Sequence, residues 1–217
     1  MAFISMLLIL KLPETLVQRS GFRWSMLKIK KSDIISAAVF VPTFITFLAY
    51  FAFGMVLTLI PDWSDFLGFQ NKGSFFVAFT IASLTIRFLA GSASDKMGRR
   101  FIVNIGLLIL LSALLIMAFV PTKNGLLMAA IIYGLSMGVL SPALNAWTVD
   151  LSPSKERGKG ISTMFIALEA GIGLGALLSG WYYQSNYQKI PDTMLGCAFL
   201  AVIGLVFLAY PQKKGKH

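Results

Sequence analysis

Six long apolar stretches, separated by short polar loops, make up most of the chain. The loops are rich in Pro, Gly, Asn and charged residues, which interrupt regular structure. An α-helix needs about 20 consecutive apolar residues to cross the hydrocarbon core of a bilayer, and each stretch is close to that length or longer. The pattern therefore predicts six membrane-spanning helices, over residues 34–60, 74–94, 101–120, 125–149, 161–184 and 193–210.

The composition is that of a membrane protein. Of the 217 residues, 57% are hydrophobic and 13% are charged, whereas a soluble domain carries about 25% charged residues. Cys197 is the one cysteine and His217 the one histidine, so the sequence offers neither a disulfide framework nor a metal-binding cluster. It predicts an all-α membrane protein, a bundle of six transmembrane helices preceded by a short helical stub, without a cofactor.

The residues outside the six spans divide into three segments. Residues 1–10 are apolar but have about half the length of a span, and we interpret 1–11 as the stub of a truncated transmembrane helix. Residues 12–33 are predicted to form a basic cytoplasmic linker, 34–210 the bundle, and 211–217 a basic cytoplasmic tail. Within the linker, aromatic and basic residues alternate; this part is either an interfacial amphipathic stretch or a solvated loop.

The positive charges lie mainly on one side of the predicted bundle. Fifteen of the 19 Lys and Arg fall before the first span, in the loops after the second and fourth spans, or in the tail. The opposite loops carry only Lys72, Lys123 and Lys189. By the positive-inside rule, we expect a multi-pass protein of the inner (plasma) membrane with both termini in the cytoplasm. The net charge of +10 then faces the anionic head groups of the lipid bilayer rather than nucleic acid.

The loop between the second and third spans carries the most specific motif of the chain. Its sequence, GSASDKMGRR at 91–100, fits the pattern G-x-x-x-D-[RK]-x-G-R-[RK] at every fixed position, a match expected by chance in roughly one of several million windows. The string resembles the signature loop of the major facilitator superfamily, a family of secondary transporters. In that family the loop forms a cytoplasmic latch that holds one conformation and opens in another. The resemblance assigns this role to Gly91, Asp95, Lys96, Gly98, Arg99 and Arg100.

A latch needs a carboxylate partner, and Asp150 ends the fourth span on the same side. Arginine side chains form forked hydrogen bonds with carboxylates. We expect Asp150 to form an ion cluster with Arg99, Arg100 or Arg157, with Glu156 at its rim. The alternative is a solvated loop whose charges balance.

Three further strings indicate which part of the family fold is present. KLPETL at 11–16 resembles the segment after helix six, and IRFLAGSASDKMGRR at 86–100 places an Arg four residues before the signature glycine, as many efflux-type members do. The stretch 145–180 resembles the end of helix ten, its loop and a Gly-rich helix eleven. The chain thus resembles the C-terminal half of an efflux-type transporter: the end of helix six, the central loop, and helices seven to twelve.

This resemblance implies transport of a small-molecule substrate by alternating access, coupled to protons. A complete member has two six-helix bundles with the substrate between them, and helices one to five are absent from this sequence. We expect a truncated reading frame or a split gene, with a separate N-terminal half or a second copy as partner. The alternative is a membrane interaction module or a remnant that transports nothing by itself.

Polar residues inside the spans are candidates for the substrate or proton pathway. Arg87 lies eight residues before Asp95, ~12 Å along a helix, and a charge at that depth should line a cavity or meet a partner. Glu169, near mid-membrane in the fifth span, is a proton site, a contact for a cationic substrate, or a buried ion-pair partner. Further candidates are Thr43, Thr46 and Tyr50 in the first span, and Tyr133 and Asn145 in the fourth.

Small residues four positions apart predict two close helix contacts. Gly171 and Gly175 form such a ridge in the fifth span, and Gly134 and Gly138 repeat it in the fourth. The string GLSMG at 134–138 also matches the G-x-S-x-G nucleophile motif, but the only histidine is the terminal residue, so no enzyme is predicted. The third and sixth spans are almost wholly aliphatic and Phe, which favours lipid-facing positions.

Overall fold

The computed structural model describes residues 35–154 and 156–210, apart from the side chains of 88–93. The stub predicted at 1–11, the linker at 12–33 and the tail at 211–217 lie outside the described residues. All of the described residues belong to a single structural unit.

Six α-helices follow a short 3-10 turn at Ala37–Val39. They are α1 (Phe40–Phe66), α2 (Ser74–Met97), α3 (Arg99–Phe119), α4 (Lys123–Leu151), α5 (Arg157–Tyr183) and α6 (Lys189–Ala209). Five of them are long and apolar enough to span a bilayer, and the apolar part of α2, Ser74–Arg87, is shorter. The described part of the chain contains no strand, and the predicted all-α bundle of six helices is confirmed.

The helices extend beyond the predicted spans at several ends. α1 continues through Pro61, where the prediction ended the first span, and reaches Phe66. Proline removes one backbone hydrogen bond and clashes with the preceding turn. Trp63 and Ser64, just beyond it, are nevertheless buried at 1% exposure. Their packing stabilises the last turns, a tertiary effect that the local sequence does not indicate.

The first three helices, α1–α3, and the last three, α4–α6, form two units in sequence, and the closest contacts run between these units and not within either. α1 packs most closely along α5, and α2 packs along α4. α3 contacts both α4 and α6, and α6 also contacts α1. If α1, α2 and α3 are exchanged with α4, α5 and α6 in that order, the α1·α5 pair becomes the α4·α2 pair. The contact pattern is therefore that of an internal repeat. We refer to these two pairs below as the α1·α5 seam and the α2·α4 seam.

Glycines from both helices bring the backbones together at the α1·α5 seam. A Cβ added at Gly54 or Gly175 would collide with a carbonyl oxygen of the facing helix, and one at Gly171 would lie 2.7 Å from such an oxygen. The carbonyls facing these three glycines belong, in that order, to Ile172, Phe51 and Phe47. Close approach of this kind gains van der Waals contact in a membrane, where lipid offers no hydrophobic driving force.

In the described part of the α2·α4 seam, the glycines come from α4. A Cβ at Gly134 would collide with the carbonyl oxygen of Phe79, and one at Gly138 would lie 2.6 Å from that of Ser83. The facing positions of α2 carry side chains. The predicted glycine ridges of α4 and α5 therefore each lie on the line of closest approach to a neighbouring helix.

The helices differ in how much of each is buried within the bundle. Of the span in α4, 61% is buried, against 50% in α3, 39% in α6 and 22% in α5. The sequence favoured α3 and α6 as lipid-facing helices, whereas α5 is the least buried of the five long apolar helices. A uniformly aliphatic helix suits a protein core as well as it suits lipid, so composition alone does not distinguish the two environments.

Candidate functional site

Arg99 forms a cluster at the end of the bundle where α2, α4 and α6 finish, which we call the Arg99 end. Its Nε donates a hydrogen bond to Asp150 Oδ2 at 2.8 Å. Its Nη1 lies 2.5 Å from Asp95 Oδ1 and donates to Ser94 Oγ at 3.1 Å. Arginine presents its donors in a rigid fork, so one side chain at the start of α3 ties the end of α2 to the end of α4.

A single residue, Gly98, connects α2 to α3. Its φ of 90° and ψ of 141° lie close to a region of backbone space that is essentially restricted to glycine. A Cβ built there meets no atom of the described structure within 4 Å. The requirement for glycine at this turn therefore comes from the backbone conformation and not from crowding.

Arg100 binds α6 and not a carboxylate. Its Nη2 donates to the carbonyl oxygen of Leu208 and, at 3.0 Å, to that of Tyr210. The last carbonyls of a helix have no intrahelical partner and carry partial negative charge, so they attract cations. Of the three arginines that the sequence offered to Asp150, the structure brings only Arg99 into contact with it.

The other residues predicted for the latch lie outside this cluster. Lys96 and Arg157 are exposed, and neither forms an ion pair with any described residue. Glu156 lies 3.5 Å from Lys159, one turn along its own helix. Gly91 lies within α2, in the stretch whose side chains are outside the described set.

A cavity of about 650 Å³ adjoins the cluster, between the ends of α3, α4 and α6. It combines the two guanidinium groups with apolar surface. The lining residues are Met97, Gly98, Arg99, Arg100, Phe101, Asn104, Trp147, Leu208 and Ala209. Asn104 was not among the predicted residues. A polar amide one turn after Arg100 in an aliphatic helix is a sequence signal that could have indicated it.

A second cavity, of about 280 Å³, lies along the α2·α4 seam and reaches α1. Its polar lining consists of Tyr50, Thr80, Ser83, Arg87 and Ser141. Its apolar lining consists of Phe53, Phe79, Leu84 and Met137. The structure thus brings together Arg87 and Tyr50, two of the predicted pathway residues. The sequence analysis missed the apolar residues and Ser141, which lies one helical turn before the predicted Asn145.

Four other predicted pathway residues do not line this cavity. The Oγ1 of Thr46 donates to the carbonyl oxygen of Pro42 at 2.7 Å, and the Nδ2 of Asn145 donates to that of Ser141 at 2.8 Å. Such bonds to the preceding turn satisfy a polar side chain within its own helix. The hydroxyls of Thr43 and Tyr133 are buried and have no hydrogen-bond partner among the described residues.

Glu169 lies on the exposed part of α5. Two residues further on, Gly171 faces α1, so Glu169 is about 200° around the helix from the seam. It forms no ion pair with a described residue. The carboxylate therefore faces away from the rest of the described bundle.

The profile of the Major Facilitator Superfamily matches residues 43–217. The quinolone resistance protein NorA of Staphylococcus aureus (strain Mu50 / ATCC 700699) is 26% identical over 179 residues, which make up 81% of this chain and 46% of that protein. Multidrug resistance protein 1 of Bacillus subtilis (strain 168) is 23% identical over 175 residues, or 79% of this chain and 45% of that protein. The chain spans about half the length of the curated relatives it matches.

Among solved structures, the human organic anion transporter MFSD10 (TETRAN) matches with a TM-score of 0.65 and 20% sequence identity. The match covers 83% of this chain and 47% of that one. At this level of identity the likeness establishes the fold, which is half of the fold of that protein.

Proposed function

Because the chain belongs to the major facilitator superfamily, we propose that it moves a small organic solute across the membrane as one half of an efflux-type secondary transporter. The observation that carries this proposal is the cavity at the α2·α4 seam, where Arg87 lies beside three aliphatic hydroxyl groups. Charged and polar side chains are costly in hydrocarbon, so they are not expected on a helix that faces only lipid. They are expected where a helix lines a solute pathway.

A second six-helix bundle is part of this proposal. Relatives named for quinolone and multidrug resistance are about twice as long as the matched region, and major facilitators bind substrate between two bundles. The broad exposed face of α5, with Leu177 and Trp181 at 70% and 74% exposure, suits a contact with that bundle. A separate N-terminal half or a second copy of this chain would supply it.

We assign the Arg99 cluster the role of a latch between two conformations. The guanidinium of Arg99 holds the carboxylates of Asp95 and Asp150 together, which fixes the ends of α2 and α4 relative to each other. Alternating access requires these ends to separate and rejoin as the two bundles rock. Ion pairs at partly exposed positions are weak, ~0.2–1 kcal/mol, so the latch opens at little cost.

Glu169 is our candidate for proton coupling. It is the only acidic residue in the interior of α5, and it faces the side where the second bundle would lie. A carboxylate that is alternately protonated and ionised there would link proton movement to the rocking of the bundles. The distribution of basic residues further supports a cytoplasmic position for the Arg99 end, with both termini on that side.

Proteoliposomes that contain the full chain and an inside-acid pH gradient test the transport function. We expect uptake of one of two probes of opposite charge, ethidium or fluorescein, and we expect a protonophore to abolish it. Glu169→Gln should retain exchange of the probe at equal concentrations but lose the acceleration by the gradient. Asp192→Asn, which neutralises an exposed acid at the start of α6, is the matched control and should transport normally.

For a chain that assembles as two copies, uptake of both probes at the rate of protein-free liposomes would contradict this function and favour the non-transporting interaction module. The mass of the purified assembly, measured by light scattering, distinguishes the partners. Two copies of the chain indicate a self-assembled transporter, and one copy indicates the need for a separate half.

A further inference from the structure

Arg87 is a cation at the depth of the hydrocarbon core. It lies ten residues before the end of α2 at Met97, ~15 Å along the helix axis. It forms no ion pair with any described residue. The neighbouring residues 88–93, whose side chains are outside the described set, contain no acid in their sequence. The charge of Arg87 is therefore not neutralised by its own surroundings in α2.

The helices around α2 also lack an acid that could neutralise this charge. α3 contains no acidic residue. The acid of α4 is Asp150, which is bound to Arg99. The acids of α1 are Asp62 and Asp65, in its last turns at the far end of the bundle. An intramembrane cation with no counter-ion in the described bundle is available to an anion that enters the site.

The polar groups near Arg87 add hydrogen-bond donors and no carboxylate. The hydroxyls of Thr80, Ser83 and Ser141 line the same cavity and donate to no acceptor in the described part of the chain. Hydroxyl groups rotate freely to suit a ligand. Together with the guanidinium they can surround an oxyanion, and charge-assisted bonds of this kind are the strongest that side chains make.

The remainder of the cavity suits an aromatic ring. The rings of Phe53 and Phe79 lie 6.1 Å apart between centroids, and Tyr50 lies 6.0 Å from Phe53. Aromatic groups favour offset or edge-on contacts at separations of about 4.5–7 Å. The volume of about 280 Å³ is at the lower limit of ordinary ligand pockets, roughly 300–1,000 Å³, and so favours a ligand with a single ring.

We propose that this cavity selects organic anions, in which a carboxylate is bound by Arg87 and the adjacent hydroxyls while an aromatic ring packs against Phe53 and Phe79. The proposal rests on the transport function above and names the substrate class of that same site. It assigns Arg87 the role of a charge selector. The competing role is a structural one, in which Arg87 pairs with an acid of the second bundle.

Three congeners of equal size and different charge test this selection. The full chain in nanodiscs is titrated by calorimetry with 4-phenylbutyrate, the neutral 4-phenylbutyramide and the cationic 4-phenylbutylamine. We expect the acid to bind about tenfold more tightly than the amide, as for a charge-assisted hydrogen bond, and the amine to bind more weakly than the amide. Equal affinities for the three, a preference for the amine, or no binding of the acid would overturn the proposal.

Substitution of Arg87 gives a second, independent comparison. Arg87→Gln should weaken binding of the acid about tenfold and leave the amide unchanged, and Arg87→Lys should recover part of the loss. Lys123→Gln neutralises an exposed cation at the other end of the bundle and should change neither. Equal loss for acid and amide in Arg87→Gln would assign Arg87 the structural role. Where Arg87→Gln does not fold, Ser141→Ala, which removes a hydroxyl from this cavity and not from the one at the Arg99 end, should weaken binding of the acid more than that of the amide, and equal binding of the acid to this variant and the unmodified chain would overturn the proposal.

This experiment separates the two proposals. Selective binding of the acid without any uptake into proteoliposomes would contradict the transport function and retain the anion site. Uptake of ethidium alone, together with unselective binding, would retain transport and overturn the anion site.

Discussion

The α1·α5 seam and the α2·α4 seam occupy equivalent positions in the internal repeat, but they differ in what fills the contact. At the α1·α5 seam, glycines from both helices meet backbone carbonyls. In the described part of the α2·α4 seam the glycines come from α4, and α2 contributes Ser83 and Arg87 to a polar cavity. The same arrangement of helices is thus closely packed in both places, and at the α2·α4 seam a ligand-sized cavity adjoins the packed contact.

The two seams also differ in the polar contacts that close them at the Arg99 end of the bundle. The α2·α4 seam ends in an ion cluster around Arg99. Near the α1·α5 seam, the corresponding contact is a neutral hydrogen bond, in which the backbone nitrogen of Ser36 donates to Thr163 Oγ1 at 2.9 Å. Ion pairs are weakened by salt and backbone packing is not. We propose from this comparison that the α1·α5 seam is the fixed contact and the α2·α4 seam is the adjustable one.

The largest effect is expected from crowding the fixed seam. Gly175→Ala places a methyl group against the carbonyl of Phe51, and overpacking of this kind costs about 1–3 kcal/mol. Gly173→Ala, two residues away where an added Cβ meets no described atom within 4 Å, is the matched control. Thermal unfolding in detergent at low and high salt measures both. A Gly175→Ala variant as stable as the control, or a penalty that depends on salt, would refute the assignment of this seam as a packed backbone contact.

A smaller effect is expected from the turn that leads into the ion cluster. Gly98→Ala forces a side chain onto a backbone with φ of 90°, at a cost of about 1–2 kcal/mol. Gly158→Ala, also without a described atom within 4 Å of the added Cβ but without a positive φ, should be neutral. Unfolding free energies of the two variants test this difference. Equal stability would mean that the turn relaxes and does not fix the position of Arg99.

The smallest effect is expected at the adjustable seam. A double-mutant cycle of Arg99→Gln with Asp150→Asn should give a coupling energy of about 0.5–1 kcal/mol that falls with added salt. The control is the pair of Lys72 and Asp65, whose side chains are more exposed, at 54% and 57%, than that of Arg99 at 23%. Its coupling should be close to zero. A larger coupling for the control pair would contradict the view that the Arg99 cluster closes the seam.

The six helices were predictable because hydropathy identifies stretches that are apolar and long enough to cross a bilayer. The same apolar residues form the interior of the bundle. That Arg99 and Asp150 lie at the same end of the bundle followed from the alternation of the spans. The choice of Arg99 over Arg100 did not, since neighbouring helical residues differ in direction by about 100°. Only the rotation of α3 against α4 and α6 decides which carboxylate or carbonyl each arginine reaches.

The cavity was predictable in part. Arg87 is conspicuous in an apolar span, whereas Phe53 and Phe79 are ordinary membrane residues and give no signal until two helices bring their rings together. Thr46 and Asn145 were named as pathway residues, but their side chains bond to the preceding turn. A polar side chain in a membrane helix satisfies itself locally whenever its geometry allows, and sequence does not distinguish that outcome from solute contact.

A single residue connects α2 to α3, so the chain between these two helices has no spare length. Arg99 reaches Asp150 on α4 while Arg100 reaches the last carbonyls of α6, so two consecutive positions hold two different helices. Inserting one amino acid after Gly98 would turn both guanidinium groups by about 100° and release both helices together. The junction therefore tolerates neither a longer connection nor a side chain at position 98.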